Sequence, residues 1–249
     1  MPEMTDRRLD ELLCWLRQDV GIDVAKLSSA SADASFRRYF RVHSNDGQFI
    51  AMDAPPDREN SEPFVRLSGW LADLGLNSPR VLAANLGKGY LLLTDLGERQ
   101  YLQVLRDAPE RAGELYGDAL RTLDKLQHKG IRYQSQLPPY SSALLNEELG
   151  LYRDWLCGTH LQLNFSAGDT NNWRTTCDFL VESALAQPRV FVHRDYHSRN
   201  LMLCERDNPG VLDFQDAVNG PLTYDLVSLL RDCYIRWPDA DVEARAIGY

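Results

Sequence analysis

The stretch from Val190 to Ala217, VFVHRDYHSRNLMLCERDNPGVLDFQDA, limits what this chain can fold into more than any other. Three polar groups stand in it: His193-Arg194-Asp195, then Asn200, then Asp213-Phe214-Gln215. Apolar runs flank them, at Val190-Phe191-Val192, Leu201-Met202-Leu203 and Val211-Leu212. Short apolar runs bounded by turn formers read as buried strands. The segment Arg206-Asp207-Asn208-Pro209-Gly210 predicts a hairpin turn between the last two. Strands of this kind would hold the polar side chains at the mouth of one cleft.

The chemistry that uses two carboxylates and an amide in this order is phosphoryl transfer. An attacking hydroxyl needs a carboxylate to orient it and accept its proton, and nucleotide phosphates need Mg2+, which takes hard oxygen ligands. In the template for that reaction an H-R-D-x-x-x-x-N loop supplies the base and one metal ligand, and the aspartate of D-F-G supplies the other. His193 to Asn200 keeps the template's spacing, so Asp195 is the candidate base and Asn200 and Asp213 are the candidate metal ligands.

At these residues the chain resembles a known family. DFQDA, followed by Asn219-Gly220-Pro221-Leu222-Thr223-Tyr224-Asp225-Leu226, is similar to the aminoglycoside phosphotransferase/choline kinase superfamily. It is unlike the protein kinases, because no A-P-E segment follows and Gln215 replaces the glycine of D-F-G. Within that superfamily, ASFRRYFRV (34–42) and MDAPPDREN (52–60) resemble the N-acetylmuramate/N-acetylglucosamine anomeric kinases of bacterial cell-wall recycling. The resemblance implies an α+β, two-lobed, protein-kinase-like fold. Residues 1–97 would form a small antiparallel-sheet lobe with one αC-like helix, and residues 98–249 a mainly helical lobe. It also implies ATP and Mg2+ bound between the lobes, and an amino sugar as the acceptor. His193, Arg194, Gln215 and Asp225 would be supporting residues, with His193 and Asp225 bracing the catalytic loop. Members of the family continue with further helices that help close the substrate site, so an end at Tyr249 reads as a C-terminally truncated chain. Two other readings stay open: a kinase of another small hydroxyl compound (an aminoglycoside, choline or homoserine), and a nucleotide-binding pseudokinase.

Composition excludes several other classes. A net charge of -9 argues against a nucleic-acid binder, which would show a basic face. No apolar run approaches the length of a membrane span, and MPEMTDRRLDELL lacks the apolar core of a signal peptide. The five cysteines are scattered and form no C-x-x-C, which points to reduced, mostly buried thiols in a cytoplasmic protein. The sequence leaves the oligomeric state open.

Taken in order, Met4 to Val20 predicts an amphipathic helix capped by Thr5 and stopped by Gly21. Residues 28–42 occupy the place of the nucleotide-covering loop, with small residues including Ser35 where kinases use glycines. Arg37, Arg38 and Arg41 follow, and guanidinium forks suit phosphate, which makes Arg37 and Arg38 candidate nucleotide contacts. On the next strand, Gln48 to Ala54, the template places a phosphate-binding lysine, but here Met52 or Asp53 stands in its place. Asn60 to Gly75 predicts the αC-like helix, capped by Ser61, with Glu59 or Glu62 able to reach a phosphate-binding cation. Two strands, 79–85 and 89–94, lead to Asp95-Leu96-Gly97, the expected hinge, where Asp95 and Leu96 would present backbone groups to the adenine edge. Beyond Gln100 the pattern turns helical, at 109–128, 142–157 and 171–186, with a loop at 158–170. The aromatics Tyr140, Tyr152, Trp155, Phe165 and Trp173 read mainly as core. Asp225 stands where an N-cap is expected for a helix from Leu226 to Arg231.

Overall fold

The structure is a computed structural model, and it describes residues 6–32 and 36–249. In its first part the chain forms α1 (Arg7–Gln18), β1 (Val24–Ala32), β2 (Arg38–Ser44), β3 (Gly47–Asp53), α2 (Glu62–Asp73), β4 (Val81–Asn85) and β5 (Tyr90–Thr94). There follow α3 (Tyr101–Asp107), α4 (Ala112–Gly130), α5 (Ser142–Leu151) and α6 (Ala167–Leu185). The last part holds β6 (Arg189–Val192), β7 (Leu201–Met202), β8 (Gly210–Val211), β9 (Val218–Pro221), α7 (Tyr224–Leu230) and α8 (Asp239–Gly248). The fold is α+β, as expected from the sequence.

The chain packs as two compact units, one of Met1–Ala119 with Arg199–Gln215 and one of Leu120–Ser198 with Asp216–Tyr249. It passes from one to the other inside α4, after Ser198 and after Gln215. The first unit therefore includes residues 98–119 and 199–215, which the sequence had grouped with the helical lobe.

The core of the first unit is an antiparallel sheet in the order β1-β2-β3-β5-β4. Residues directly opposite in an antiparallel pair share a face, and faces alternate along each strand. Phe40, Val42, Phe49, Ala51, Tyr90 and Leu92 therefore point one way, and α1 packs there through Leu12, Trp15 and Leu16. Tyr39, Arg41, Ile50, Met52, Leu91 and Leu93 point the other way. Fully burying one side chain such as Leu12 or Leu16 against the sheet contributes about 1.5–3 kcal/mol. The helix is capped by the Asp6 carboxylate, which accepts the Leu9 N–H at 3.2 Å, while Thr5 lies outside the described residues. Before α2 the expected cap, Ser61, makes no side-chain bond, and Asn60 Oδ1 accepts the Glu62 N–H at 3.0 Å instead.

In the same unit β7 and β8 form the expected hairpin. Its turn is fixed by Asn208, whose amide donates to the Tyr101 hydroxyl and to Asp118, each at 2.7 Å. In the second unit β6 pairs with β9, and Tyr140, Val192 and Val218 pack together there. Gly220 lets that packing close up, since a Cβ on it would stand 2.9 Å from Tyr140 Cδ1.

Three sequence expectations change here. The 158–170 segment is not all loop, because Ser166 and Asp169 form a reciprocal capping box that starts α6 at Ala167. A π-helical run, Tyr152–His160, continues α5 and turns Tyr152 and Trp155 outward, and Phe165 beyond it is exposed too, so these three are not core. Of the five free cysteines only Cys157 and Cys177 are buried, and Cys14 and Cys233 are exposed. No helix among the described residues is long and apolar enough to cross a membrane.

Candidate active site

In the first unit the inward face of the sheet borders a cavity of about 620 Å3, within the size range of small-molecule sites. Tyr39, Arg41, Ile50 and Leu93 of the sheet line it, with Phe64 of α2 and the segment Thr94–Glu98. Asn200, Met202, Leu212 and Asp213 line it as well. Phe64 packs on Phe214 with ring centroids 4.8 Å apart, which ties α2 to the residue after Asp213.

Asn200 and Asp213 meet because the β7–β8 hairpin brings their strands side by side. The Leu212 N–H donates to the Asn200 carbonyl at 2.9 Å, and the Asn200 amide lies 3.4 Å from Asp213 Oδ2. Gln215 Nε2 donates to Asp213 Oδ1 at 2.7 Å. Asp213 itself adopts φ 61°, a left-handed conformation that aspartate tolerates better than most side chains. A carboxylate and an amide oxygen on one cavity wall fit a Mg2+ ion, which binds through few protein ligands and keeps waters and phosphate oxygens for the rest. No cluster of three or more His, Cys, Asp or Glu suited to a metal is present among the described residues, so the site offers no closed all-protein cage.

The segment Asp95–Glu98, where the sequence places the hinge, is clamped by Arg41. Its Nε and Nη2 donate to Asp95 at 2.6 and 3.2 Å, Nη2 also reaches the Gly97 carbonyl at 2.8 Å, and Nη1 reaches Glu98 at 2.6 Å. Asp95 also accepts the Gly97 N–H at 2.9 Å. The Asp95 side chain is thus a strut of this segment. Cys204 Sγ contacts the Leu96 carbonyl at 3.5 Å.

Arg37 and Arg38, further nucleotide candidates, are each paired with acids. Arg38 lies on the α1 face, where it and Arg8 grip the fully buried Asp53. Arg38 Nε and Nη2 reach Asp53 Oδ2 at 3.0 and 2.5 Å, and Arg8 Nε reaches Oδ1 at 2.9 Å. Arg38 also pairs with Asp6. Of the two residues in the place of the template's lysine, Asp53 therefore points away from the cavity and Met52 lies on the cavity face. Arg37 pairs with Glu59 at 3.0 Å, both side chains mostly buried, and Glu62 is exposed. Ser35 lies outside the described residues.

Residues 193–198 and Asp225 belong to the second unit. Asp225 sits inside α7, which Thr223 caps by position, so Asp225 is not an N-cap. Its buried carboxylate accepts the N–H groups of His193 at 2.7 Å and Arg194 at 3.0 Å. Burial pushes its pKa up to about 7, against the pull of those two donors. His193 Nδ1 lies 3.2 Å from the Asp195 N–H, and the Asp195 carbonyl accepts the His197 N–H at 3.1 Å. Farther along, Asp232 accepts the N–H of Ser198 at 2.9 Å and its hydroxyl. The loop carrying Asp195 is therefore held at His193, Arg194 and Ser198 by two buried acids.

The profile of the family described as "Phosphotransferase enzyme family" matches residues 26–249. This chain belongs to the phosphotransferase enzyme family. It is 46% identical, over 98% of its own length and 74% of the relative's, to a protein of Pseudomonas aeruginosa named N-acetylmuramate/N-acetylglucosamine kinase. A protein of the same name in Neisseria meningitidis is 42% identical over 90% of this chain and 66% of the relative. Among solved structures, the ADP-bound aminoglycoside phosphotransferase APH(2'')-Ib has a TM-score of 0.69 at 18% identity, covering 96% of this chain and 81% of that one. The macrolide 2'-phosphotransferase MphH of Brachybacterium faecium has a TM-score of 0.65 at 18% identity, covering 96% and 82%. At those identities the solved structures speak for the fold.

Sequence reasoning missed two parts of this phosphotransferase. One is the Arg41 clamp, whose signal was its alternation with Tyr39 on β2. The other is Glu148 of α5, which receives Arg194 Nη2 at 2.6 Å, the Tyr224 hydroxyl at 3.2 Å and the Tyr140 hydroxyl. Burial raises both tyrosines, Tyr224 to about 12, so they remain neutral donors to Glu148. No local pattern around Glu148 marks this role. A cavity in the second unit, lined by Asn146, Arg153, Trp173, Arg174 and Asp178 among others, has none of residues 193–198 in its wall.

Proposed function

We propose that this phosphotransferase transfers the terminal phosphoryl group of ATP to the anomeric hydroxyl of N-acetylmuramate or N-acetylglucosamine. The reaction would take place in the cytoplasm, in the recycling of cell-wall amino sugars. The observation that carries the phosphoryl-transfer half is the placing of Asn200 and Asp213 on the wall of the cavity that the hinge also lines. The acceptor rests on the relatives' names and on the extent of the identity to them.

Each part of the reading has a residue. The hinge backbone at Asp95 and Leu96 takes the nucleobase edge, and the apolar wall of Ile50, Phe64 and Leu93 excludes water around it. Asn200 and Asp213 hold Mg2+, which when bound offsets the charge that develops on the phosphates. Asp195 orients the acceptor hydroxyl and takes its proton. A hemiacetal hydroxyl is more acidic than an ordinary alcohol, so a single carboxylate is an adequate base. Gln215 fixes the rotamer of Asp213, and Asp225 fixes the backbone entering Asp195.

The test is phosphorus NMR of the product from each sugar with MgATP, using this chain and its Asp195→Asn variant. A sugar 1-phosphate is expected, and its rate of formation falls about 100-fold or more in the variant, the scale of general-base catalysis. Phosphate appearing on a non-anomeric hydroxyl would overturn the acceptor assignment, and undiminished turnover by the variant would overturn the role of Asp195.

A further inference from the structure

The residue before Asp195 is held in an uncommon backbone shape. Arg194 has φ 80°, in the left-handed region that is unfavourable for residues with a Cβ. Strain of this kind persists only where the surroundings over-determine it. Here both ends of the residue are tied. Its backbone N–H donates to Asp225 at 3.0 Å, and its Nη2 donates to Glu148 Oε1 at 2.6 Å. Arg194 Nε is buried without a hydrogen-bond partner among the described residues. The guanidinium is therefore placed by Glu148 and by the face of the Tyr140 ring, whose centroid lies 5.9 Å away.

Glu148 is in turn placed from a second side. Its other oxygen, Oε2, accepts the hydroxyls of Tyr140 and Tyr224. Tyr140 is fully buried, its N–H donates to the Asn219 carbonyl at 2.9 Å, and its ring meets that of Tyr224 edge-on at 5.1 Å. The Glu148 and Arg194 side chains are only 27% and 24% exposed. An acid with an arginine on one oxygen and two hydroxyls on the other is oriented more firmly than the acid of an exposed ion pair. The start of α7 thus serves Arg194 twice. Tyr224 orients the acid that takes the guanidinium, and Asp225 takes the backbone.

We propose that Glu148 is a positioning residue for the transfer step: through Arg194 it holds the left-handed turn on which the placing of Asp195 depends. The proposal rests on the reading of Asp195 as the base that orients the acceptor hydroxyl. The dihedral angles at Arg194 set the direction in which the next residue leaves the chain. Without the acid, the guanidinium loses its counter-charge in a mostly buried place. Arg194 then relaxes toward an ordinary φ, and Asp195 turns with it. Glu148 itself touches neither nucleotide nor sugar in this role.

The test is steady-state kinetics with MgATP and each sugar, read as kcat and KM separately. Glu148→Gln is expected to lower kcat about 10- to 100-fold, the cost of a slightly misplaced catalytic group, and to leave the KM for MgATP as in the wild type. Added to Asp195→Asn, the same substitution costs little more, because losses that act through one residue do not multiply. A pair that only stabilised the fold would lower the rate equally in both backgrounds. Arg194→Gly, placed in the Glu148→Gln chain, brings back part of the lost turnover, since glycine adopts the left-handed turn unaided. Tyr224→Phe removes one hydroxyl from Glu148 and keeps the ion pair. It gives a smaller loss of the same kind, and it tests the same role where Glu148→Gln does not fold. If Glu148→Gln, or Tyr224→Phe in its place, keeps the wild-type kcat, the role of Glu148 is overturned while the reading of Asp195 stands. The same holds if Glu148→Gln slows the Asp195→Asn chain as much as it slows the wild type, or if Arg194→Gly brings nothing back. If Asp195→Asn turns over as fast as the wild type, or the wild type transfers phosphate to neither sugar, the reading of Asp195 falls, and the role of Glu148 with it.

Discussion

Replacing Arg41 by methionine tests how far the hinge depends on one guanidinium. In the structure that group is 11% exposed, and the carboxylate it grips, Asp95, is 6% exposed. The Glu98 arm is different, because Glu98 is 74% exposed and its pair with Arg41 is worth less than about 1 kcal/mol. Removing one partner of a buried ion pair leaves the other charge uncompensated, at a cost of about 3–5 kcal/mol. The small remaining exposure, together with the Gly97 N–H still donated to Asp95, places Arg41→Met at the low end, about 3 kcal/mol. For a chain of this size that corresponds to a fall of roughly 6–12 °C in melting temperature. A double variant, Arg41→Met with Asp95→Leu, leaves no buried charge, and it should recover about 2 kcal/mol of the loss. Its hinge is no longer held by Gly97 and Asp95, so nucleotide affinity should stay low in the double variant although stability returns. Thermal unfolding and titration with ADP measure the two separately. A single variant that melts within about 2 °C of wild type, less than the shift from 1 kcal/mol, or a double variant no more stable than the single one, would refute the view of Arg41–Asp95 as a desolvated pair.

Two further perturbations follow from the packing. Burial raises the folded-state pKa of Asp225 to about 7, far above that of an exposed aspartate, so the folded chain favours its neutral form. The stability from this group is therefore complete near pH 4 and below, and is lost as the pH rises toward 7; the wild-type advantage over Asp225→Asn should shrink across that window in paired melting curves. An advantage that grew with pH would mean that the His193 and Arg194 N–H groups stabilise the carboxylate more than burial penalises it. Gly89 has φ +75°, and a Cβ there would stand 1.7 Å from the carbonyl oxygen of Ala54. Gly89→Ala should cost more than about 2 kcal/mol, since left-handed strain of about 1–2 kcal/mol adds to a clash with backbone that cannot swing away; a melting temperature unchanged from wild type would contradict this geometry.

The meeting of Asn200 and Asp213 was legible because phosphoryl transfer fixes the order and spacing of few residues, and these two stand at the template's places. The hairpin that joins Asn200 to Asp213 was legible for a separate reason, the turn formers at 206–210 between two apolar runs. The faces of the sheet were not legible. Alternation betrays a strand's inner face only where the other face is wet, and here α1 covers one side while the cavity and α2 border the other. Which of Arg38 and Arg41 faces the cavity was therefore hidden in the sequence, and the register of β2 with β3 separates them. The start of α6 was written in Ser166 and Asp169, but the polar run around them outweighed the cap. At Asp225 the preference for acids at helix starts pointed to a cap, whereas Thr223 takes that position and frees the carboxylate to reach across to the loop before Asp195.

Asp53 shows why the sheet commits Arg38 to its outer face. A fully buried carboxylate is tolerated only when its lone pairs are filled, and Asp53 receives the forks of both Arg8 and Arg38. That arrangement fastens α1 to the end of β3 and commits Arg38 to the outer face. Shifting the register of β2 by one residue would turn Arg38 toward the cavity and leave the acid at the end of β3 without half of its partners.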